Sequence, residues 1–260
     1  MAIPGPARFF APAARAAIYH EGLDLVRLTG SAPGRKLDVR LVYRDQFERE
    51  GELTLVIVDV ATGLTLAGLT FSVVFNAGQR IVIIGGLQAN PDPRMRDLIH
   101  DAAKDYHGLR PKALALWCLQ ELAALWQVGQ IQAVGDEQHI YRHSHKRREF
   151  AASYDEFWAE SDGHRLSGGG SWELPLELRP RTREELKPSR RKAHERRYAL
   201  LAALRPVLRH AAASLAPGPS ADAALAAGPA EFVLAGRESG STPAVEPTQY
   251  PASVPACLAA

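Results

Sequence analysis

The sequence predicts a mixed α+β domain, a central and mostly antiparallel sheet flanked by helices, followed by a disordered Ala/Pro-rich C-terminal tail. Three observations predict it. Apolar-rich runs, the first of them alternating apolar with polar residues, fill residues 37–87 between short turns, as strands joined in hairpins do. Helix-period apolar patterns then take over. After about residue 211, Ala, Pro, Gly and Ser dominate, with too little large apolar surface to offset the entropy of ordering.

Residues 1–34 mix Ala, Pro and Gly with a short helical patch and read as a loosely held lead-in to a domain over 35–210; 211–260 is the tail. LDVRLVYR (37–44) alternates as a half-buried strand does. ELTLVIVDV (52–60), the turn Ala61-Thr62-Gly63 and LTLAGLTFSVVF (64–75) make an antiparallel hairpin. After the turn Asn76–Gln79, RIVIIGGL (80–87) is apolar on both faces, which predicts a central strand. Pro91 and Pro93 open a helix that runs to Tyr106 and ends at Gly108. RPKALALWCLQELAALWQVG (110–129) is a second helix, with Pro111 in its first turn and Gly129 at its end. IQAVG (131–135) is a short strand, YDEFWAE (154–160) a short amphipathic helix, SDGHRLSGGG a loop and SWELPLEL (171–178) the closing strand. Residues 182–210 form a basic helix or helix pair.

The net charge of +2 means that any basic surface is local. The two cysteines lack metal spacing; Cys118 falls in an apolar helical pattern and predicts a small core residue, which suits a reducing compartment. Pro4, Pro6, Pro12, Arg8 and Arg15 interrupt any secretory core near the N-terminus, and no run approaches the roughly 18 apolar residues of a membrane span. The expected place is cytoplasmic, free or peripheral to the inner membrane.

Several motifs carry chemistry. Gly85-Gly86-Leu87-Gln88 ends the central strand, and two glycines there let a backbone or a ligand come close, or make a bulge. His107-Gly108-Leu109-Arg110-Pro111-Lys112 opens the apolar helix. Its unsatisfied amides with Arg110 and Lys112 make an anion site, unless the two cations reach neighbouring acids. His107 is a candidate general base, or a complement to the preceding helix's dipole. Asp155 and Glu156 are candidates for proton transfer or for pairing with Arg110; otherwise they face solvent while Tyr154, Phe157 and Trp158 pack. His139, His143 and His145 are crowded by Arg142, Lys146, Arg147 and Arg148, so no metal is assigned. Arg190, Arg191, Lys192, Arg196 and Arg197 form a basic run suited to a solvated helix face, an anionic membrane surface or a partner protein. No nucleic-acid motif accompanies it.

EGELTL (50–55), LTFSVVF (69–75), IGGLQ (84–88), HGLRPKALAL (107–116), HIYR (139–142), YDEFW (154–158), WELP (172–175) and KPSRRKAHERRY (187–198) resemble, in this order, the VirK/YbjX family of Gram-negative bacteria. The resemblance runs from about 36 to 205. It implies a link to virulence, surface-protein localisation and tolerance of antimicrobial peptides. The order of elements also resembles the GNAT-type acyltransferase fold, in which a basic, Gly-containing loop opening a helix cradles an acyl donor's pyrophosphate. That likeness implies acyl-CoA or acyl carrier protein as donor. Gly108, Arg110 and Lys112 would bind its phosphate, Gly85, Gly86 and Gln88 would line the acyl chain, and His107, Glu156 or Asp155 would take the proton. The acceptor would be an envelope lipid or a protein amine. The other function implied is a non-enzymatic accessory protein for the envelope, docking through the basic helix.

Overall fold

The computed structural model describes residues 9–30, 35–139, 153–216 and 228–234. The alternating runs pair as their turns dictate. Strands β1 (Leu23–Thr29), β2 (Lys36–Val42), β3 (Leu53–Asp59), β4 (Thr65–Asn76) and β5 (Gln79–Gln88) follow one another antiparallel. Two helices, α2 (Met95–Asp105) and α3 (Pro111–Leu125), then carry the chain back, so that β6 (Val128–Val134) lies parallel to β5. Helix α4 (Tyr154–Glu160) leads to the two-residue β7 (His164–Arg165) and to β8 (Ser171–Leu174), which pairs antiparallel with β6. The sheet order among the described residues is β7-β8-β6-β5-β4-β3-β2-β1-β9, where β9 is Ala230–Val233. The predicted central strand, β5, thus has neighbours on both sides.

Alternation explains how the core is divided. Leu53, Leu55 and Ile57 of β3 join one apolar cluster with Leu69, Ile84, Trp117, Leu122 and Leu204. Thr54 and Val56, between them, are buried outside that cluster, and the Thr54 and Thr70 hydroxyls lie 3.0 Å apart. Helix α3 packs on β3 and β4. The basic segment is one helix, α5 (Pro188–Ser214), continuous through Pro206. It packs on α3, β1 and β9, and Arg205 and Arg209 both hold the buried Glu121 of α3, at 2.8 and 2.7 Å.

Four expectations are corrected. Within the lead-in, residues 12–20 form α1 (Pro12–His20) and 23–29 form β1, whose Leu25, Val26 and Leu28 are fully buried between β2 and β9. Within the tail, α5 extends to Ser214 and 230–233 pairs with β1; the rest of the tail lies outside the described residues. Gly129 sits inside β6 rather than ending α3, because Gln127 supplies the left-handed turn at φ 53°. The closing strand stops at Leu174, before Pro175, which has no amide hydrogen for the ladder. Cys118 is buried in the core as its pattern predicts, and burial pushes its thiol pKa up.

Candidate active site

The two glycines of β5 stand at an irregularity. Phe71 of β4 pairs with Ile84 and Thr70 with Gly86, leaving Gly85 as the extra residue of a bulge. After a 3-10 turn at Asp45–Phe47, the connection to β3 returns Glu50 against this bulge. A Cβ on Gly85 would overlap the Glu50 carbonyl, and one on Gly86 would overlap its carboxylate. The close approach that the glycine pair allows is therefore made by the chain's own glutamate.

Glu50 is 5% exposed, and the Gln88 amide donates to its two oxygens at 2.6 and 2.7 Å. Burial drives the carboxyl up from 4.5 to about 7, against the opposing effect of Gln88. His139 Nε2 lies 3.6 Å from Glu50 Oε1 and 3.3 Å from the Tyr154 hydroxyl. That hydroxyl also accepts from the Leu87 amide at 3.0 Å. Burial lowers the His139 pKa and raises that of Tyr154, so the imidazole is biased to neutral and the phenol keeps its proton. His139, at 9% exposed, retains the most surface of the three; Tyr154 is at 5%.

Tyr154 is placed by the fastening of α4. Ser153 caps the helix, accepting from the Glu156 amide at 3.2 Å. Asp136, just after β6, accepts from the Tyr154 amide at 2.8 Å and from the Ser153 hydroxyl at 2.5 Å. Asp155 accepts from Trp172 Nε1 at 2.8 Å and pairs with Arg165, and Trp158 Nε1 donates to the Val134 carbonyl at 2.9 Å. The aromatics of YDEFW are buried, Asp155 ties α4 to β7 and β8, and Glu156 is exposed.

A second group gathers where α3 begins. His107 (φ 57°) and Gly108 (φ 80°) reverse the chain after α2, and the Gly108 amide donates to Ala103 O at 2.6 Å. Arg110 pairs with Glu160 at the far end of α4, and Lys112 Nζ lies 4.3 Å from the Phe157 ring centre. Burial and the Arg110 charge lower the Lys112 pKa, while Arg110 lowers that of Glu160. Arg197 leaves the exposed basic run: its Nε lies 3.4 Å from the His107 carbonyl, and a Cβ on Gly108 would come within 2.6 Å of Nη2. Arg190, Lys192 and Arg196 stay exposed, while Arg191 donates to the Arg183 carbonyl at 3.0 Å.

The sequence candidates thus separate into distinct groups. Gly85, Gly86 and Gln88 meet at Glu50; His107, Gly108, Arg110, Lys112 and Arg197 meet at the α3 start. Glu50 and Tyr154 were not singled out by sequence reasoning as functional side chains, and His139 was weighed only as a metal ligand. The signal for Glu50 was the glycine pair itself, which implied an unnamed close neighbour. His143 and His145 lie outside the described residues; among those described, no cluster of His, Cys, Asp and Glu suits a metal. Among the described residues, no helix is long and apolar enough to cross a membrane.

A family model described as "Protein of unknown function (DUF535)" matches residues 7–210. "Uncharacterized protein YbjX" of Escherichia coli (strain K12) is 32% identical over 188 residues, 71% of this chain and 56% of that protein. An "Uncharacterized protein" of Haemophilus influenzae (strain ATCC 51907 / DSM 11121 / KW20 / Rd) is 28% identical over 120 residues, 46% of this chain and 40% of that protein. The chain therefore spans about half the length of these curated relatives. The match begins at residue 7, so α1 and β1 fall within the matched region, upstream of the expected start near 36.

Proposed function

The chain belongs to the DUF535 family, the kinship that its VirK/YbjX-like motifs imply, and from that premise we propose that it is a GNAT-like acyltransferase whose proton-handling centre is Glu50, His139 and Tyr154. One observation carries the proposal: a buried carboxyl with a pKa of about 7, packed into a glycine bulge beside an imidazole and a phenol. A group titrating near neutrality can both accept and return a proton, which structural carboxylates rarely do. The centre stands at the carboxyl end of the parallel pair β5 and β6, where open α/β sheets place ligands.

In this reading the donor is an acyl thioester of CoA or of acyl carrier protein, its phosphate held at the α3 start by the Arg110 and Lys112 side chains. Helix α4 touches both groups, Tyr154 at one end and Glu160 at the other, about 9 Å apart along the axis. The acceptor amine or hydroxyl attacks the thioester carbonyl. Its proton passes to His139 and is shared with Glu50; the carbon–sulfur bond breaks, the thiolate leaves with the proton of Tyr154, and the phenol recovers one from His139 across their 3.3 Å contact. The family resemblance suggests an envelope lipid or a protein amine as acceptor, with a role in envelope stress or peptide tolerance. Exposed Arg190, Lys192 and Arg196 would face the anionic inner leaflet.

Thiol release from a panel of acyl-CoAs and acyl carrier protein thioesters, with amine and lipid acceptors, tests this on the full chain. Wild type should turn over at least one donor, and Glu50→Gln and His139→Ala should each lower the rate by roughly 10²–10⁴. No turnover with any donor, or full activity in both variants, would overturn it.

A further inference from the structure

Arg197 and its neighbours were expected to serve a partner surface. Three features around them point elsewhere. Among the described residues, neither Arg197 nor Arg181 has a carboxylate within ion-pair distance, although Arg197 is half-buried. His194 Nε2 is buried with no hydrogen-bond partner, one helical turn before Arg197. The His194 ring lies 4.4 Å from that of Tyr198, whose hydroxyl donates to the Arg179 carbonyl at 3.0 Å, so the loop that carries Arg179 and Arg181 is pinned beside this face of α5. The same loop lines a cavity of about 430 Å³, through Arg179, Pro180 and Arg181 together with Pro175, Asp162 and Glu185.

Geometry brings this face to the α3 start, since Arg197 lies against Gly108 and the His107 carbonyl. Arg197, Arg110 and Arg181 repel one another: burial first, then these two neighbours, lowers the Arg197 pKa. Burial and the same kind of repulsion from Arg197 and Arg181 keep His194 neutral, leaving its Nε2 a partner to find. A half-buried cation without an ion-paired acid, Arg197, and a buried nitrogen without a partner, His194 Nε2, are costly unless an anion completes them. Of the acids nearby, Glu160 is half-exposed and paired with Arg110, while Asp162 and Glu185 line the cavity beside Arg181.

We propose that Arg181, His194 and Arg197 form the second jaw of a phosphate clamp whose first jaw is Arg110, Lys112 and the start of α3. Glu160 holds Arg110 until a phosphate ester takes its place. The clamp rests on the reading that the α3 start faces the donor, and it adds α5 and the 179–181 loop to the donor site.

Binding of inorganic pyrophosphate, CoA and phosphatidylglycerol vesicles to the full chain, followed by calorimetry or co-sedimentation, tests it. Pyrophosphate and CoA should bind. Arg197→Ala and Arg181→Gln should each weaken both by about tenfold, the scale of a lost charge-assisted hydrogen bond. Arg96→Ala, on exposed α2, should change nothing. Glu160→Gln should bind several-fold tighter, which a purely structural ion pair would not produce and which does not depend on how Arg197→Ala folds. Vesicle binding without CoA binding, lost in Arg197→Ala, would keep the clamp and assign it to a lipid headgroup, overturning the donor reading. Clamp behaviour in a protein without acyl turnover would likewise leave the clamp standing and only the enzyme reading lost. Unchanged pyrophosphate affinity in both Arg variants and in Glu160→Gln, or no binding of any phosphate probe, would overturn the clamp.

Discussion

Glu50 owes its properties to what surrounds it rather than to its own type. The Gly85–Gly86 bulge supplies a recess without Cβ atoms, and Gln88 supplies two short hydrogen bonds. Replacing water by this recess raises the cost of the carboxylate more than one amide recovers, and the pKa rises accordingly. The recess is specific to glycine. Gly86→Ala would force its methyl into the carboxylate and displace Glu50, costing about 1–3 kcal/mol, as overpacking of a filled site does. Chemical denaturation of wild type and variant measures it; equal midpoints would show that the recess is looser than its geometry.

At the scale of elements, α4 organises the site. Its first residue reaches Leu87 and His139, and its last pairs with Arg110. Asp136, Asp155 and Trp158 fasten it to β6, β7 and β8. Much of this layer was legible in the sequence. Alternation located β2, the apolar runs and their short turns located β3 to β5, and Pro111 and the apolar stripe located α3. The two helices between β5 and β6 were legible as well, whereas the parallel pairing of those strands is visible only in the structure. What stayed hidden depends on distant partners. Nothing local in PAARAAIYHEGLDLVRLT says that 23–29 pairs with both 36–42 and 230–233. Nothing local to EGELTL says that its first glutamate lies against Gly86, since the link is a bulge register formed between β4 and β5. HGLRPK, with two cations at a helix start, offers either an anion site or pairing with acids of neighbouring elements; Arg110 pairs with Glu160 and the His107 carbonyl meets Arg197, both far along the chain and without a local signal.

The whole molecule carries the electrostatic cost of this centre as a dependence of stability on pH. The Glu50 carboxyl titrates at about 7 when folded and near 4.5 when unfolded, so between these values the folded chain holds a proton that the unfolded chain has released. Its contribution to stability is therefore fully present below about pH 4.5 and is lost as pH rises through 7. Between pH 5 and 8 this removes about 2–3 kcal/mol, spread over one cooperative unit because β1 to β6 share a single core with α3 and α5. Denaturant melts should show wild type losing more stability over that range than Glu50→Gln by this amount. Parallel pH profiles for the two proteins would place Glu50 at an ordinary carboxylate value.

The central claim is that this one carboxyl ionises near neutrality inside the folded protein. Carbon-13 NMR of the side-chain carboxyls in glutamate-labelled full-length protein, titrated from pH 4 to 9 beside Glu50→Gln, tests it most directly. The account predicts one glutamate resonance with a midpoint of about 7, absent from the variant. A Glu50 resonance that titrates with the exposed glutamates between about 4 and 5 would contradict it.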